Sequence, residues 1–258
     1  MSDVLPLLLK ELKLPAFVRH YPSLGDTARA DTWSHADYLA ALCERELADR
    51  YQRRVQKWTR EARLPTGKTF ATLQGERLGK TVQGQLATLQ HGSDWALRAD
   101  NVMLMGPSGT GKTHIASALG HTLIEQGVRC RLFSAVALVQ MLQLAKRDLD
   151  LLAVMTRLDK YRVVIIDDIG YVKKTDAETQ VLFEFIAHRY ESGSLIITAN
   201  QPFSAWDQIF PDAIMTVAAI DRLIHHGSII EFTGESYRKQ QRIEGSNAQE
   251  PTTLNRPS

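Results

Sequence analysis

The sequence predicts an α/β fold, a parallel sheet covered by helices and preceded by a small all-helical N-terminal domain. Three observations carry that expectation. From Asn101 onward, short apolar runs alternate with amphipathic segments, as parallel strands do when both their faces are buried. Between the first run and the first helix stands a glycine-rich turn, Gly106 to Thr113. Before residue 65 the apolar positions Leu47, Tyr51, Val55 and Trp58 instead recur at helical spacing.

The elements follow in order. The start of the chain holds the apolar stretch Leu5-Pro6-Leu7-Leu8-Leu9, hemmed in by Asp3, Lys10, Glu11 and Lys13. It is too short to span a membrane and no small-residue cleavage site follows, so it reads as a short amphipathic helix. Asp37 to Arg63 has few helix breakers and ends at Pro65-Thr66-Gly67. Residues 1–65 therefore form a helical domain. Residues 66–98 are polar and glycine-rich and read as a linker into the core.

The core domain is expected over 99–244. Its strands are 101–105, 128–134, 162–166 and 194–199. Its helices follow the glycine turn up to about Gly127, then cover 135–147, 176–190 and the segment around 218–223. The tail, 245–258, is polar with prolines and is expected to be disordered.

Bulk properties exclude several classes. The 258 residues suffice for one α/β core and a smaller appended unit. With 44% hydrophobic and 23% charged residues the chain is not disordered as a whole. Cys43 and Cys130 stand far apart without metal-ligand spacing, so neither a disulfide framework nor a zinc site is expected, and a cytoplasmic setting fits.

Gly106-Pro107-Ser108-Gly109-Thr110-Gly111-Lys112-Thr113 matches G-x-x-x-x-G-K-[ST]. It sits between a strand and a helix, the context a phosphate-binding loop requires. Glycines let successive backbone N–H groups converge on phosphate oxygens, and the helix start adds partial positive charge. Lys112 then reaches the β- and γ-phosphates, and the Thr113 hydroxyl is placed to ligate Mg²⁺.

Val163-Val164-Ile165-Ile166 ends in Asp167 and Asp168. Strand ends gather at one edge of a parallel sheet, so Asp167 suits Mg²⁺ and Asp168 suits a water attacking the terminal phosphate. Ser194 to Ala199 ends in Asn200, whose amide is placed to hold that water or the γ-phosphate. Arg222, on the segment 218–223, has two readings: charge compensation at a γ-phosphate, often from a neighbouring subunit, or a surface ion pair with Asp221.

Arg50 to Arg63 carries six basic residues against one acid, Glu61. Arg50, Arg53, Lys57 and Arg60 share one helical face and Arg54 flanks it. Such a stripe binds nucleic-acid phosphates without base specificity; a solvated charged face is the alternative. Lys173 and Lys174 form a second basic patch, with the same alternative of a solvated loop.

Taken together, GPSGTGKTHIA (106–116), VVIIDDIGY (163–171), HRYE (188–191), SLIITANQPFSAW (194–206), DRLIHH (221–226) and GESYR (234–238) resemble an AAA+ ATPase. More narrowly they resemble the IstB-like ATP-binding helper proteins of insertion sequences, relatives of the DnaC helicase loader and of DnaA. Weaker similarity at LKLPAF (12–17) extends the likeness over nearly the whole chain to about residue 240.

The resemblance implies ATP as the nucleotide and makes Lys112 and Thr113 the Walker A pair. Asp167 and Asp168 become the Walker B acids, Asn200 the sensor-one residue and Arg222 an arginine finger acting across a subunit boundary. Arg238 becomes a weaker candidate for the nucleotide site or for contacts between subunits. It further implies a homo-oligomer that assembles on duplex target DNA and recruits and stimulates a transposase, with no membrane role. A helicase loader and an ATP-gated scaffold with negligible turnover are the competing readings.

Two departures from the general AAA+ pattern matter. Only 36 residues follow Arg222, too few for a full helical lid, as in the IstB and DnaC branch. Asp168 stands where many AAA+ proteins carry the longer Glu, so slow hydrolysis is expected.

Overall fold

The protein is described from a computed structural model over residues 4–170, 175–208 and 213–233. Lys173, Lys174, Arg238 and the tail 245–258 lie outside the described residues. The chain divides into two compact units, Met1–Trp58 and Thr59–Ser258.

The N-terminal unit is helical, as expected. Helix α1 (Leu5–Glu11) and α2 (Pro15–Ala30) precede α3 (His35–Ala62), and the division between the units falls within the last turns of α3. Leu9, Phe17 and Leu42 are buried together, with Leu14, Val18, Tyr21, Leu24 and Tyr38 packed around them. Both α1 and α2 carry proline in their first turn, where a missing N–H costs nothing. The next donor of α2, the Ala16 N–H, is bonded at 2.8 Å by the carboxylate of buried Glu46 from α3. Burial pushes the Glu46 pKa up, but the Arg50 and Ala16 hydrogen bonds and the Arg53 charge outweigh it and leave the pKa lowered.

The second unit is built on five parallel strands in the order β2-β3-β4-β1-β5. They are β1 (Asn101–Met105), β2 (Cys130–Ser134), β3 (Val163–Asp167), β4 (Ser194–Ala199) and β5 (Gly227–Glu231). β1 and β4 are buried along their whole length and β3 along all but its last residue, which is why they read as unbroken apolar runs. Strand β5 was not expected. Its exposed edge position leaves only Ile229 and Ile230 apolar and inward, and main-chain pairing with β1 decides the assignment. β2 begins at Cys130 rather than at 128 because Gly127 and Val128 close the turn after the preceding helix.

Helices α6 (Lys112–Glu125), α7 (Ala135–Arg147) and α9 (Asp176–Arg189) match expected segments closely, and α10 (Ala213–Ile224) contains the expected 218–223 but starts five residues earlier. Helix α8 (Leu151–Leu158) was missed, and so was the structure of residues 66–98. There, two 3-10 turns (Phe70–Thr72 and Gly75–Arg77) lead to α4 (Lys80–His91) and the short α5 (Asp94–Leu97). Leu86, Leu89, Trp95 and Ala96 are buried, so tertiary packing overrides the interior Gly84. The described residues end two positions after β5, so the expectation about a C-terminal lid lies outside them. No helix of the described residues has the length and apolarity to cross a membrane.

The HRYE segment has a packing explanation. The Arg189 side chain is 2% exposed and donates to the Tyr161 carbonyl (3.0 Å) and Arg162 carbonyl (2.8 Å), just before β3, with Asp159 at 3.4 Å. Burial lowers its pKa, and Asp159 opposes that shift. Arg189→Met should remove this donor from the Tyr161 carbonyl, leave the Arg162 carbonyl with the Ser194 N–H alone, and cost about 3 kcal/mol. A circular-dichroism melt should show the midpoint roughly 6–12 °C lower; an unchanged midpoint would show that the clamp contributes nothing.

Both cysteines are free, Cys43 exposed and Cys130 buried. Burial pushes the Cys130 thiol up to about 12, so it is an inert core side chain.

Candidate nucleotide-binding site

Parallel strands all end at one edge, and the sheet order places β1 beside β4 and β4 beside β3. Three segments are therefore brought together at that edge: the loop 106–113 after β1, Asp168 after β3 and Asn200 after β4. Gly106 leaves β1 with φ of 141°, and a Cβ there would run into the Phe232 carbonyl, so only glycine fits. Gly111 caps the start of α6 in the left-handed region at φ 92°, with no side chain capping the helix. The first N–H groups of α6 therefore face the loop uncapped by a side chain, a ready anion site.

Lys112 is 8% exposed, and its Nζ donates to the Gly106 and Pro107 carbonyls at 2.7 Å each. The Thr110 hydroxyl donates to the Pro107 carbonyl at 2.9 Å and stiffens the turn. Thr113 Oγ1 donates to Asp167 Oδ1 at 2.9 Å, bridging the loop helix to the acidic strand. Hydroxyl and carboxylate together are a hard-oxygen donor set of the kind Mg²⁺ takes.

A cavity of about 640 Å³ opens here, within the range of small-molecule sites. Ser108, Gly109, Gly111, Lys112, Thr113, Asp168 and Asn200 line it. Asn200 Oδ1 is buried and has no hydrogen-bond partner among the described residues. Thr66, Gly67, Lys68, Thr72, Leu73 and Gln74 also line the cavity, from the stretch whose arrangement the sequence did not reveal. His114 ties that stretch to α6: its Nε2 lies 2.9 Å from the Thr69 carbonyl and 3.2 Å from Thr72 Oγ1. A cavity of about 700 Å³ in the N-terminal unit, lined by Tyr21, Trp33 and Tyr38 among others, contains none of the expected site residues.

Sequence reasoning missed Thr198. Its side chain lines the cavity, and its hydroxyl donates to Asp167 Oδ1 at 2.7 Å and accepts from the Asp168 N–H at 2.8 Å. A signal was present, since Thr198 interrupts the apolar run of the strand two residues before Asn200 and so shares its face.

Arg222 is not in this cavity. Its guanidinium bonds the Ala218 carbonyl (2.8 Å) and lies 5.3 Å from the Phe183 ring centre. The next residue's carbonyl accepts from the side chain of Asn101, the first residue of β1, whereas the loop follows Met105 at the strand's other end. About 13 Å of strand separates those ends.

Of the basic helix, Arg50 and Arg53 are paired with Glu46 at 2.8 and 3.4 Å. Arg54 lies over the Tyr51 and Trp58 rings at 5.6 and 5.5 Å. Arg50, Arg53, Arg54, Lys57 and Arg60 are all exposed, but Leu47 is 66% exposed too, so the apolar face begins only at Tyr51.

A five-stranded parallel sheet with a phosphate loop after β1, acids at the end of β3 and an amide after β4 defines a P-loop AAA+ core. The chain belongs to the family of IstB-like ATP binding proteins, whose sequence model matches residues 7–245. It is 42% identical over 240 residues to a Sinorhizobium fredii protein named for ATP binding in an insertion sequence, covering 93% of this chain and 80% of that one. It is 33% identical over 242 residues to the corresponding IS21 protein of Pseudomonas aeruginosa, covering 92% and 89%. Among solved structures, the replication initiator DnaA bound to AMPPCP and single-stranded DNA superimposes with a TM-score of 0.56 at 14% identity. That match covers 72% of this chain and 57% of the DnaA chain, and it speaks to the fold alone.

Proposed function

We propose that this protein is an ATP-dependent DNA-binding ATPase that assembles on duplex target DNA and recruits and stimulates a transposase of its insertion sequence. The observation that carries the reading is the convergence of Lys112, Thr113, Asp168 and Asn200 on one cavity, in a family of ATP-binding proteins of insertion sequences.

In this reading the loop 106–113 cradles the triphosphate through its backbone N–H groups and Lys112 neutralises the β- and γ-phosphates. Thr113 and Asp167 hold Mg²⁺, which supplies charge compensation at the phosphates when bound. Asp168 orients and polarises the attacking water, and Asn200 donates to the γ-phosphate. Arg222 enters the site of the neighbouring subunit, a role its distance from its own cavity favours. Occupancy would then be coupled to assembly, and hydrolysis would release it.

The exposed basic face of α3 is the proposed duplex contact. Because Glu46 already engages Arg50 and Arg53, Arg54 and Lys57 are the informative positions. Arg54→Glu with Lys57→Glu should weaken duplex binding and lower the magnitude of the log Kd against log salt slope by about 1 per lost phosphate contact. Filter binding across a salt series reads it out, and an unchanged slope removes α3 from the interface.

The whole reading is tested by imaging the purified protein with duplex DNA and a non-hydrolysable ATP analogue. Nucleotide-dependent assemblies on duplex DNA are expected. Preference for single strands together with capture of a hexameric helicase would replace this reading with that of a helicase loader.

A further inference from the structure

Thr198 occupies an unusual position between the two acids. It is 2% exposed, on β4, level with Asp167 on neighbouring β3 by continuation of the strand register from Ile166 opposite Ile197. Its hydroxyl does two things at once. It donates to Asp167 Oδ1 at 2.7 Å, the same oxygen that accepts from Thr113, and it accepts the Asp168 N–H at 2.8 Å. Its own carbonyl then accepts the next amide, Ile169 N–H, at 3.0 Å.

The backbone explains why that matters. Asp168 has φ of 66°, in the left-handed region that a non-glycine residue adopts only at a cost. Such conformations persist where surrounding bonds over-determine them, and they concentrate at functional sites. Here two consecutive amides, 168 and 169, are tied to one residue. An Asp168 in the ordinary extended region would carry its carboxylate in a different direction from the strand end.

We infer that Thr198 is a positioning residue for ATP hydrolysis, fixing the carboxylate of Asp167 and the left-handed turn that presents Asp168 to the cavity. This rests on the nucleotide reading above and adds a residue to it. Thr198 lines the cavity beside the acids, and the role assigned to it is exercised through its bonds to them. The hydroxyl, not the bulk of the side chain, is the active part, because both side-chain bonds to the acidic segment use Oγ1, while the bond to the Ile169 N–H uses the main chain and survives substitution.

The test compares three proteins in single-turnover and steady-state ATP hydrolysis with Mg²⁺. Thr198→Val keeps the shape and removes the hydroxyl. It should bind ATP within about 3-fold of the wild type, because the loop 106–113 is untouched. Its kcat should fall about 10- to 100-fold, as small misplacements of catalytic groups do. Thr198→Ser restores the hydroxyl and should recover kcat to within about 3-fold. Should the valine protein fail to fold by circular dichroism, Thr198→Ala removes the same hydroxyl and carries the same expectations. A kcat equal to that of the wild type in the hydroxyl-less protein overturns the inference and leaves the nucleotide site standing. Equal losses in the serine and valine proteins, or loss of ATP affinity in step with kcat, overturn it too, by showing a packing role. No turnover by the wild type overturns both this inference and the ATPase reading.

Discussion

Lys112→Ala is expected to weaken nucleotide binding severely and, with it, to abolish any assembly that nucleotide drives. The ammonium is the one side-chain cation of the loop, buried to 8% exposure and held at 2.7 Å from two loop carbonyls. Charge-assisted hydrogen bonds to phosphate oxygens contribute about 2–3 kcal/mol, so the Kd for ATP should rise roughly 30- to 150-fold. Titration calorimetry reads the affinity, and sedimentation with and without ATP reads assembly. The fold should survive, because alanine is a good helix former at the first position of α6. Normal ATP-dependent assembly of this variant on DNA would mean that the loop does not cradle the triphosphate.

The second large effect belongs to Arg222. Within its own subunit the guanidinium is bonded to the Ala218 carbonyl and lies 5.3 Å from the Phe183 ring centre, and Arg222 is not among the residues lining the cavity. A role for Arg222 at a phosphate is therefore proposed for a neighbour's site. Arginines that complete a phosphoryl-transfer site in trans contribute about 10³–10⁵ in rate in GTPases. Arg222→Ala should therefore abolish measurable hydrolysis while sparing nucleotide affinity. Mixing it with Lys112→Ala should restore part of the activity, since each subunit supplies what the other lacks. A mixture as inactive as its components would confine Arg222 to a structural role on α10. Both predictions use separable readouts, affinity for the first and complementation for the second.

Much of this was legible in the residues. The runs 101–105, 163–166 and 194–199 are fully buried strands whose neighbours are other strands, so their sequences carry hydrophobicity without alternation. The loop was legible for a different reason: its glycines are required by backbone geometry, and Gly106 abuts the Phe232 carbonyl more closely than any side chain would permit. Strand β5 and helix α4 were not legible. Each is half exposed and owes its form to a neighbour, β1 for one and the rest of the second unit for the other, so neither displays a clean period. The Arg50 and Arg53 stripe was visible as charge, but its pairing with Glu46 was not, because that carboxylate sits on the helix's preceding turns and is recruited by the α2 start.

The residues alone determined the chemistry available at the site, because a phosphate loop, two acids and an amide at strand ends are local patterns fixed by short-range sterics and burial. Only the tertiary structure decided who touches whom. Sheet order set β4 against β3, so that Thr198 bonds both acids; the end of α10 meets the start of β1, and Arg222 is not among the residues lining the cavity; and His114 fastens the 66–74 segment to α6. These are contacts between segments distant in sequence, set by strand pairing and packing, and no window along the chain contains both partners.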